Sequence, residues 1–206
     1  MRLKHIKDAE IKIYDSEYVI KNPFEYKGNW KNVFKNDNPI RLEIGMGKGD
    51  FIISLALANP NINYIGIEKY ASVLLICTNK LKTMDKLNNL KLIVMDAMNI
   101  NEIFDKEIER LYLNFSDPWP KNRHKNRRLS SSVFLEKYDN IFLKDKIIEL
   151  KTDNDNLFEF SLESFKEYGY IIDEINYNYN ALYKTEYEKK FILKNVNIKY
   201  VKVHKN

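Results

Sequence analysis

Three glycines and three acids, set among short apolar runs, mark one part of this chain as able to hold a ligand. The stretch Glu43-Ile-Gly-Met-Gly-Lys-Gly-Asp50 places glycines at 45, 47 and 49. This is G-x-G-x-G, not the G-x-G-x-x-G of dinucleotide sites or the G-x-x-x-x-G-K-[ST] of phosphate loops. Glycine lets the backbone turn tightly and approach a ligand with no Cβ in between. Glu43, two residues before Gly45, would repel a pyrophosphate but suits a ligand carrying an ammonium and a sulfonium. Glu68 ends the next β-rich run, where one carboxylate can accept both hydroxyls of a ribose. Asp96 ends the third, beside where a base would lie. Each acid alone reads equally well as a surface charge or a helix cap. Together they favour S-adenosylmethionine over a nicotinamide dinucleotide.

A second constellation is Asn114-Phe-Ser-Asp-Pro-Trp-Pro-Lys121. Pro118 and Pro120 restrict the backbone and push their neighbours toward extended conformations. Asp117 is thereby held rigidly, and Trp119 offers an aromatic plane for a base. The plain alternative for Trp119 is an aromatic–proline turn that closes a core. The run Lys121–Arg128 carries Lys121, Arg123, Lys125, Arg127 and Arg128, with His124 among them and no acid. Those five cations equal the whole formal charge of +5, so the rest of the chain sums to zero. Such a run reads either as a solvated loop or as a polyanion contact. His5, His124 and His204 lie far apart and Cys77 is the only cysteine, so no metal-site spacing exists.

These groups need a scaffold. At 206 residues, 44% apolar and 31% charged, the chain fits one globular domain, 1–206, and excludes collagen-like and disordered classes. A chain of this length buries roughly 70% of its unfolded surface. A single cysteine fits a reducing cytoplasm. The charged start MRLKHIKDAEIKIYD lacks the apolar stretch of a signal peptide, and no run approaches the ~20 apolar residues of a membrane span.

Strand and helix patterns alternate. Strands are expected at Arg41–Ile44, Asn63–Glu68, Leu90–Met95, Leu111–Phe115 and Lys146–Leu150. Helices are expected at Phe51–Asn59, Ser72–Leu87, Val133–Phe142 and Asn156–Tyr168, with a short one at Asn99–Asp105. Gly169 stands where a C-cap glycine belongs. Tyr170–Ile175 and Phe191–Val203 are β-rich with no helix between them, so they pair antiparallel. The pattern implies a mostly parallel, three-layer α/β sheet. Residues 1–39 form an N-terminal extension whose aromatics cover one sheet edge, ahead of a Rossmann-like core at 40–206.

NFSDPWPKNRHKNRRL closely resembles the signature of the tRNA (guanine-N7)-methyltransferases. EIGMGKGDF, ANPNINYIGIEKY, ELKTDNDNLFEF and TEYEKKF resemble further segments of that family, so the likeness spans about 40–195. It implies a class I methyltransferase fold of seven strands with the last antiparallel, helices on both faces, and transfer of a methyl group from S-adenosylmethionine to guanosine N7 in the variable loop of tRNA. It further implies that Glu43, Gly45, Glu68, Asp96 and Asp117 contact the donor, with Asp117 the catalytic acid. Lys121, Asp153, Thr185, Glu186, Tyr187 and Glu188 would hold the substrate. Arg123, His124, Lys125, Arg127 and Arg128 would touch RNA. Read without the resemblance, Asp153 serves equally as a helix cap, and Thr185 and Glu188 read as a solvated hairpin. Ser116, Met95 and Asn126 depart from the family pattern, which often has proline, glycine and a denser basic run there. No membrane and no metal are expected; the oligomer is a monomer or a homodimer. Competing readings are a class I methyltransferase for another RNA nitrogen, and a non-catalytic RNA-binding protein of the same fold.

Overall fold

The computed structural model describes residues 5–206; the first four residues of the N-terminal extension lie outside it. Seven strands form one sheet: β1 (Ile40–Ile44), β2 (Asn63–Glu68), β3 (Leu90–Val94), β4 (Ile108–Asn114), β5 (Phe142–Thr152), β6 (Ile171–Asn176) and β7 (Lys199–His204). Their order is β3-β2-β1-β4-β5-β7-β6, parallel except for β7, which runs antiparallel to both neighbours. Strand order reverses between β1 and β4, and the glycine-rich turn leaves the carboxyl end of β1. Open α/β sheets bind their ligands at this switch point.

Alternation along the strands supplies two cores, because successive side chains point to opposite faces. Leu42, Ile44, Ile65, Ile67, Ile93, Leu111 and Leu113 feed one cluster. It is completed by Phe134 and Tyr138 of α5 (Ser132–Asp139) and Phe158 and Phe165 of α6 (Asp155–Glu167). On the other face Tyr64, Leu90, Leu92 and Tyr112 meet α3 (Asp50–Ala58) and α4 (Ala71–Leu81).

The N-terminal extension covers the β3 edge, as its aromatics suggest. α1 (Ala9–Lys12) lies against α4. Val19 bridges to Leu92 in parallel, and Ile20 N–H donates to the Leu92 carbonyl at 3.0 Å. This satisfies backbone groups that an open edge would leave exposed. α2 (Trp30–Phe34) sinks Trp30 into the core, where its Nε1–H donates to the Ile103 carbonyl at 2.7 Å.

Several boundaries differ from the sequence reading, two of them by more than a turn. The helix expected over Ser72–Leu87 ends at Leu81, because the Thr83 N–H and hydroxyl both donate to the Lys80 carbonyl and close the last turn. Leu87 instead donates its N–H to the Tyr18 hydroxyl at 3.0 Å. The β-rich segment Phe191–Val203 is strand only from Lys199. Before it lies a helix, α7 (Glu186–Ile192), opened by a full capping box: Thr185 Oγ1 accepts from Glu188 N–H, and the Glu188 carboxylate accepts from Thr185 N–H. The sequence T-E-Y-E carries that signal; the apolar residues C-terminal to it obscure the signal. Thr185 and Glu188 therefore belong to a helix N-terminus, not to a solvated hairpin.

Candidate active site

The glycine turn is a cradle with one packed corner. A Cβ added at Gly45 or Gly47 would meet nothing within 4 Å, whereas at Gly49 it would lie 2.4 Å from Cys77 Sγ. Gly45 and Gly47 adopt φ of +74° and +57°, which L side chains rarely adopt. So Gly49 serves helix packing, and the first two glycines border open space. Glu68 braces the cradle: its carboxylate accepts from Gly47 N–H and Tyr70 N–H, both at 3.0 Å. Burial raises its pKa against those bonds, and the Asp117 charge adds to the rise.

Glu43 lies deeper than the sequence suggests. It is 1% exposed. One carboxylate oxygen accepts from Asn114 Nδ2 at 2.8 Å; the other is buried with no partner among the described residues. Burial pushes its pKa up to about 8, against the Asn114 bond and the nearby Lys151 charge. Asp96 joins both of its readings. It caps the 3₁₀ turn Ala97–Glu102 by accepting from Met98 N–H, and it pairs with Lys69 at 2.7 Å, which lowers its pKa. An orphaned acid, an open glycine cradle and two further acids at adjacent strand ends fit a donor that bears an ammonium, a ribose and a base.

The segment after β4 is bent at both ends. Phe115 and Trp119 hold φ of +51° and +41°. Bulky residues occupy this region only where surrounding contacts impose it. Asp117 between them is exposed, and its charge reaches Glu68 on one side and Tyr187 on the other. Asp153 acts on the same Tyr187 hydroxyl. The cap of α6 is Asn154, which accepts from Leu157 N–H at 2.8 Å, so the capping duty weighed for Asp153 falls to its neighbour. Tyr187 packs on Phe115, ring centroids 5.4 Å apart. The glycine cradle meets α7 through Lys48 and Glu186, and the Asp117 loop meets it through Phe115 and Tyr187.

The basic run forms a 3₁₀ turn, Asn122–Arg127, with Lys121, Arg123, Lys125 and Arg127 exposed. Arg128 departs from the expectation of an RNA contact. It is buried, donates from Nε to the Pro118 carbonyl at 3.0 Å and from Nη2 to the Trp119 carbonyl at 3.1 Å, and covers the Phe160 ring at 4.2 Å. Trp119 is not a free platform either. Arg127 lies over its ring at 4.9 Å and His124 packs edge-on at 5.9 Å.

In α7, Thr185 and Glu186 are half-buried and Tyr187 exposed, while Glu188 is wholly buried. Glu186 pairs with Lys48 of the glycine turn at 2.7 Å and with Lys190, which pull its pKa down to about 2. Glu188 pairs with Lys151 at 2.7 Å. Lys48, Asn114 and Lys151 were not among the expected site residues. The visible trace of Lys151 is one cation directly after the apolar Leu150, near the end of the strand IIELKT. Among the described residues no group of three His, Cys, Asp or Glu is placed to hold a metal, and no helix is long and apolar enough to cross a membrane.

Comparison with known proteins leads in the same direction. Residues 37–201 match a family model described as "Putative methyltransferase". The tRNA (guanine-N(7)-)-methyltransferase of Lachnoclostridium phytofermentans is 48% identical over 93% of this chain and 92% of its own length. That of Bacillus subtilis is 46% identical, with the same coverage. Among solved structures, the 16S rRNA methyltransferase KamB superposes with a TM-score of 0.66 at 13% identity, over 86% of this chain and 92% of its own. An antibiotic-related methyltransferase gives the same TM-score at 15% identity, over 86% of this chain and 92% of that one.

Proposed function

The chain belongs to the tRNA (guanine-N7)-methyltransferase family, and from that membership we infer how its own residues carry out methyl transfer to N7 of a guanosine in tRNA. The observation that carries the reading is the open glycine cradle at the end of β1, joined to α7 by the Lys48–Glu186 pair, with the Asp117 loop packed on the same helix through Phe115 and Tyr187. S-adenosylmethionine, held by Glu43, Gly45, Glu68, Asp96 and Asp117, would supply a sulfonium methyl.

Guanine N7 is a lone-pair acceptor and carries no proton. No general base is required at the attacking atom, so the work is positioning and electrostatics. Asp117 stabilises the positive charge that develops on the purine. Asp117 or Asp153 accepts from guanine N1–H and N2–H, which selects guanine over adenine. Lys121 and the α7 segment, Thr185 to Tyr187, hold the nucleotide. Glu188, sealed from solvent, supports that segment from beneath. Arg123, His124, Lys125 and Arg127 contact phosphates. A base in folded RNA is drawn out of its stack to present N7 in line. The substrate guanosine lies in the variable loop, and the enzyme works in the cytoplasm.

The test is transfer of a radiolabelled methyl group to bulk tRNA, followed by nucleoside analysis. The expected product is 7-methylguanosine, which yields chain scission after borohydride and aniline treatment. A neutral N-methyl amine in its place would overturn the reading.

A further inference from the structure

The geometry points to Lys151 as a positioning residue for methyl transfer: its buried ammonium clamps the α7 segment onto the donor half of the site. Its side chain is 4% exposed. Nζ donates to Glu188 Oε2 at 2.7 Å and to the Tyr183 carbonyl at 3.3 Å, and lies 4.5 Å from the centre of the Phe51 ring. The three partners come from α7, from the loop before it, and from the first helix after the glycine cradle. Its own carbonyl accepts from Phe115 N–H at 2.8 Å, which ties the same residue to the start of the Asp117 loop. Lys151 thus joins four segments that the reaction needs in register.

A lysine buried inside a sheet is costly unless it is paired. Here the pairing is strong but incomplete. Glu188 is 0% exposed, and its second carboxylate oxygen has no partner among the described residues. An apolar pair would pack at lower cost, so this pair adds little that packing alone would not. What it does add is directional attachment of a short helix. The seven residues of α7 are too few to be stable alone. Its other ion pair to the scaffold, Lys48–Glu186, is partly exposed, and such pairs hold weakly. Tyr187 on Phe115 is a surface contact. The Lys151–Glu188 pair is therefore the fastening that water cannot loosen. It also stands beside the donor end, since the Lys151 charge acts on Glu43. An α7 that comes free would leave the donor cradle intact and take the nucleotide-holding segment away.

The inference rests on the proposed function, because it assigns α7 to the tRNA side. The test compares Lys151→Met, Glu188→Gln and the double variant. Donor affinity is read by calorimetry, kcat and KM for tRNA by methyl transfer, and α7 attachment by tryptic cleavage after Lys189 and Lys190, followed by mass spectrometry. Lys151→Met should leave donor affinity within about threefold of wild type, raise the tRNA KM about tenfold or more, and speed cleavage about tenfold. The double variant lacks the same pair, so its KM and cleavage should stay raised but fall short of the sum of the two single losses. Wild-type KM and cleavage in Lys151→Met would overturn the clamp, as would a double variant whose losses simply add. If Lys151→Met does not fold, the double variant decides: a folded protein with fast cleavage supports the clamp, and one with wild-type cleavage, or a second failure to fold, overturns it. The cleavage arm stands even if the methyl acceptor proves to be another base, so the two readings fail separately.

Discussion

The donor end and the acceptor end of this site are built on opposite plans. At the donor end the charges are acids, buried or tied down at the tips of parallel strands. Glu68 accepts two backbone N–H groups, Asp96 caps a turn, and Glu43 sits under the sheet end bonded to Asn114. At the acceptor end the basic run sets cations on and beside a 3₁₀ turn, exposed except for Arg128. On the proposed function, the difference follows the ligands. A small donor must be enclosed, so its contacts come from rigid strand ends whose backbone is already paired. A folded RNA stays outside, so its contacts come from long side chains in water, where attraction is sequence-blind and salt-dependent. Arg128 and Lys151 break the pattern: both are cations used inside the protein, holding in place the loops that carry the others.

That contrast is broken most severely at the cradle. Gly47→Val should abolish measurable donor binding in calorimetry while the protein still unfolds cooperatively, because the new side chain would enter the open space beside the turn and strain a φ of +57°. Wild-type donor affinity in this variant would remove the loop from the site. Next comes Asp117→Asn, which keeps shape and loses charge. Single-turnover rate at saturating donor and tRNA should fall by ~10²-fold or more, matching one preorganised electrostatic contact of ~2.7–4 kcal/mol. A rate within about threefold of wild type would shift the role to Asp153.

Arg128→Ala sharpens the comparison, because it separates a positioning cation from those proposed to bind phosphate. Loss of two charge-assisted bonds to the Pro118 and Trp119 carbonyls should cost about 1.5–3 kcal/mol in denaturant unfolding and lower the methylation rate. The salt dependence of tRNA binding should stay unchanged. A flattened slope with unaltered stability would return Arg128 to the RNA-contact set.

Glu43 carries a pH signature. Its pKa is ordinarily near 4.5 and rises to about 8 in the fold. Between those values the folded protein holds a proton that the unfolded chain has released. The donor-free protein should therefore lose stability as pH climbs from 5 toward 8, and Glu43→Gln should flatten that part of the profile in thermal melts. Donor affinity should rise as pH passes through 8, when the carboxylate ionises against the donor's ammonium. Parallel profiles for wild type and Glu43→Gln would show that Glu43 does not titrate in this range. The smallest effects belong to single alanines at Arg123, Lys125 and Arg127. Each should flatten the log–log salt slope of tRNA binding by roughly 0.7–0.9 or less and leave unfolding unchanged. A triple variant with wild-type affinity and slope would make the run a solvated turn.

The strands and helices of the core were legible because their signals are local. Glycine turns after apolar runs, a period of two in the strands and of 3.6 in the helices, and the DPWP octamer all sit within a dozen residues of chain. They determined the α/β sheet, the glycine turn, and the acids Glu43, Glu68 and Asp96 at the ends of three strands. The likeness of NFSDPWPKNRHKNRRL to one family pointed to the reaction. Tertiary structure alone decided what each charge does. Glu43 became a buried acid because Asn114, 71 residues away, closes over it. Arg128 left the RNA-facing set because Pro118, Trp119 and Phe160 enclose it, while Arg127 beside it stays in water. Lys151 met Glu188 only because β5 and α7 come together, and Thr185 and Glu188 turned from hairpin to helix on a capping box that needs its own backbone to close. The physical reason is one of range. Periodicity and turn chemistry depend on neighbours in sequence, whereas burial, pairing and pKa depend on neighbours in space, and the parallel crossovers of this sheet bring those from far along the chain.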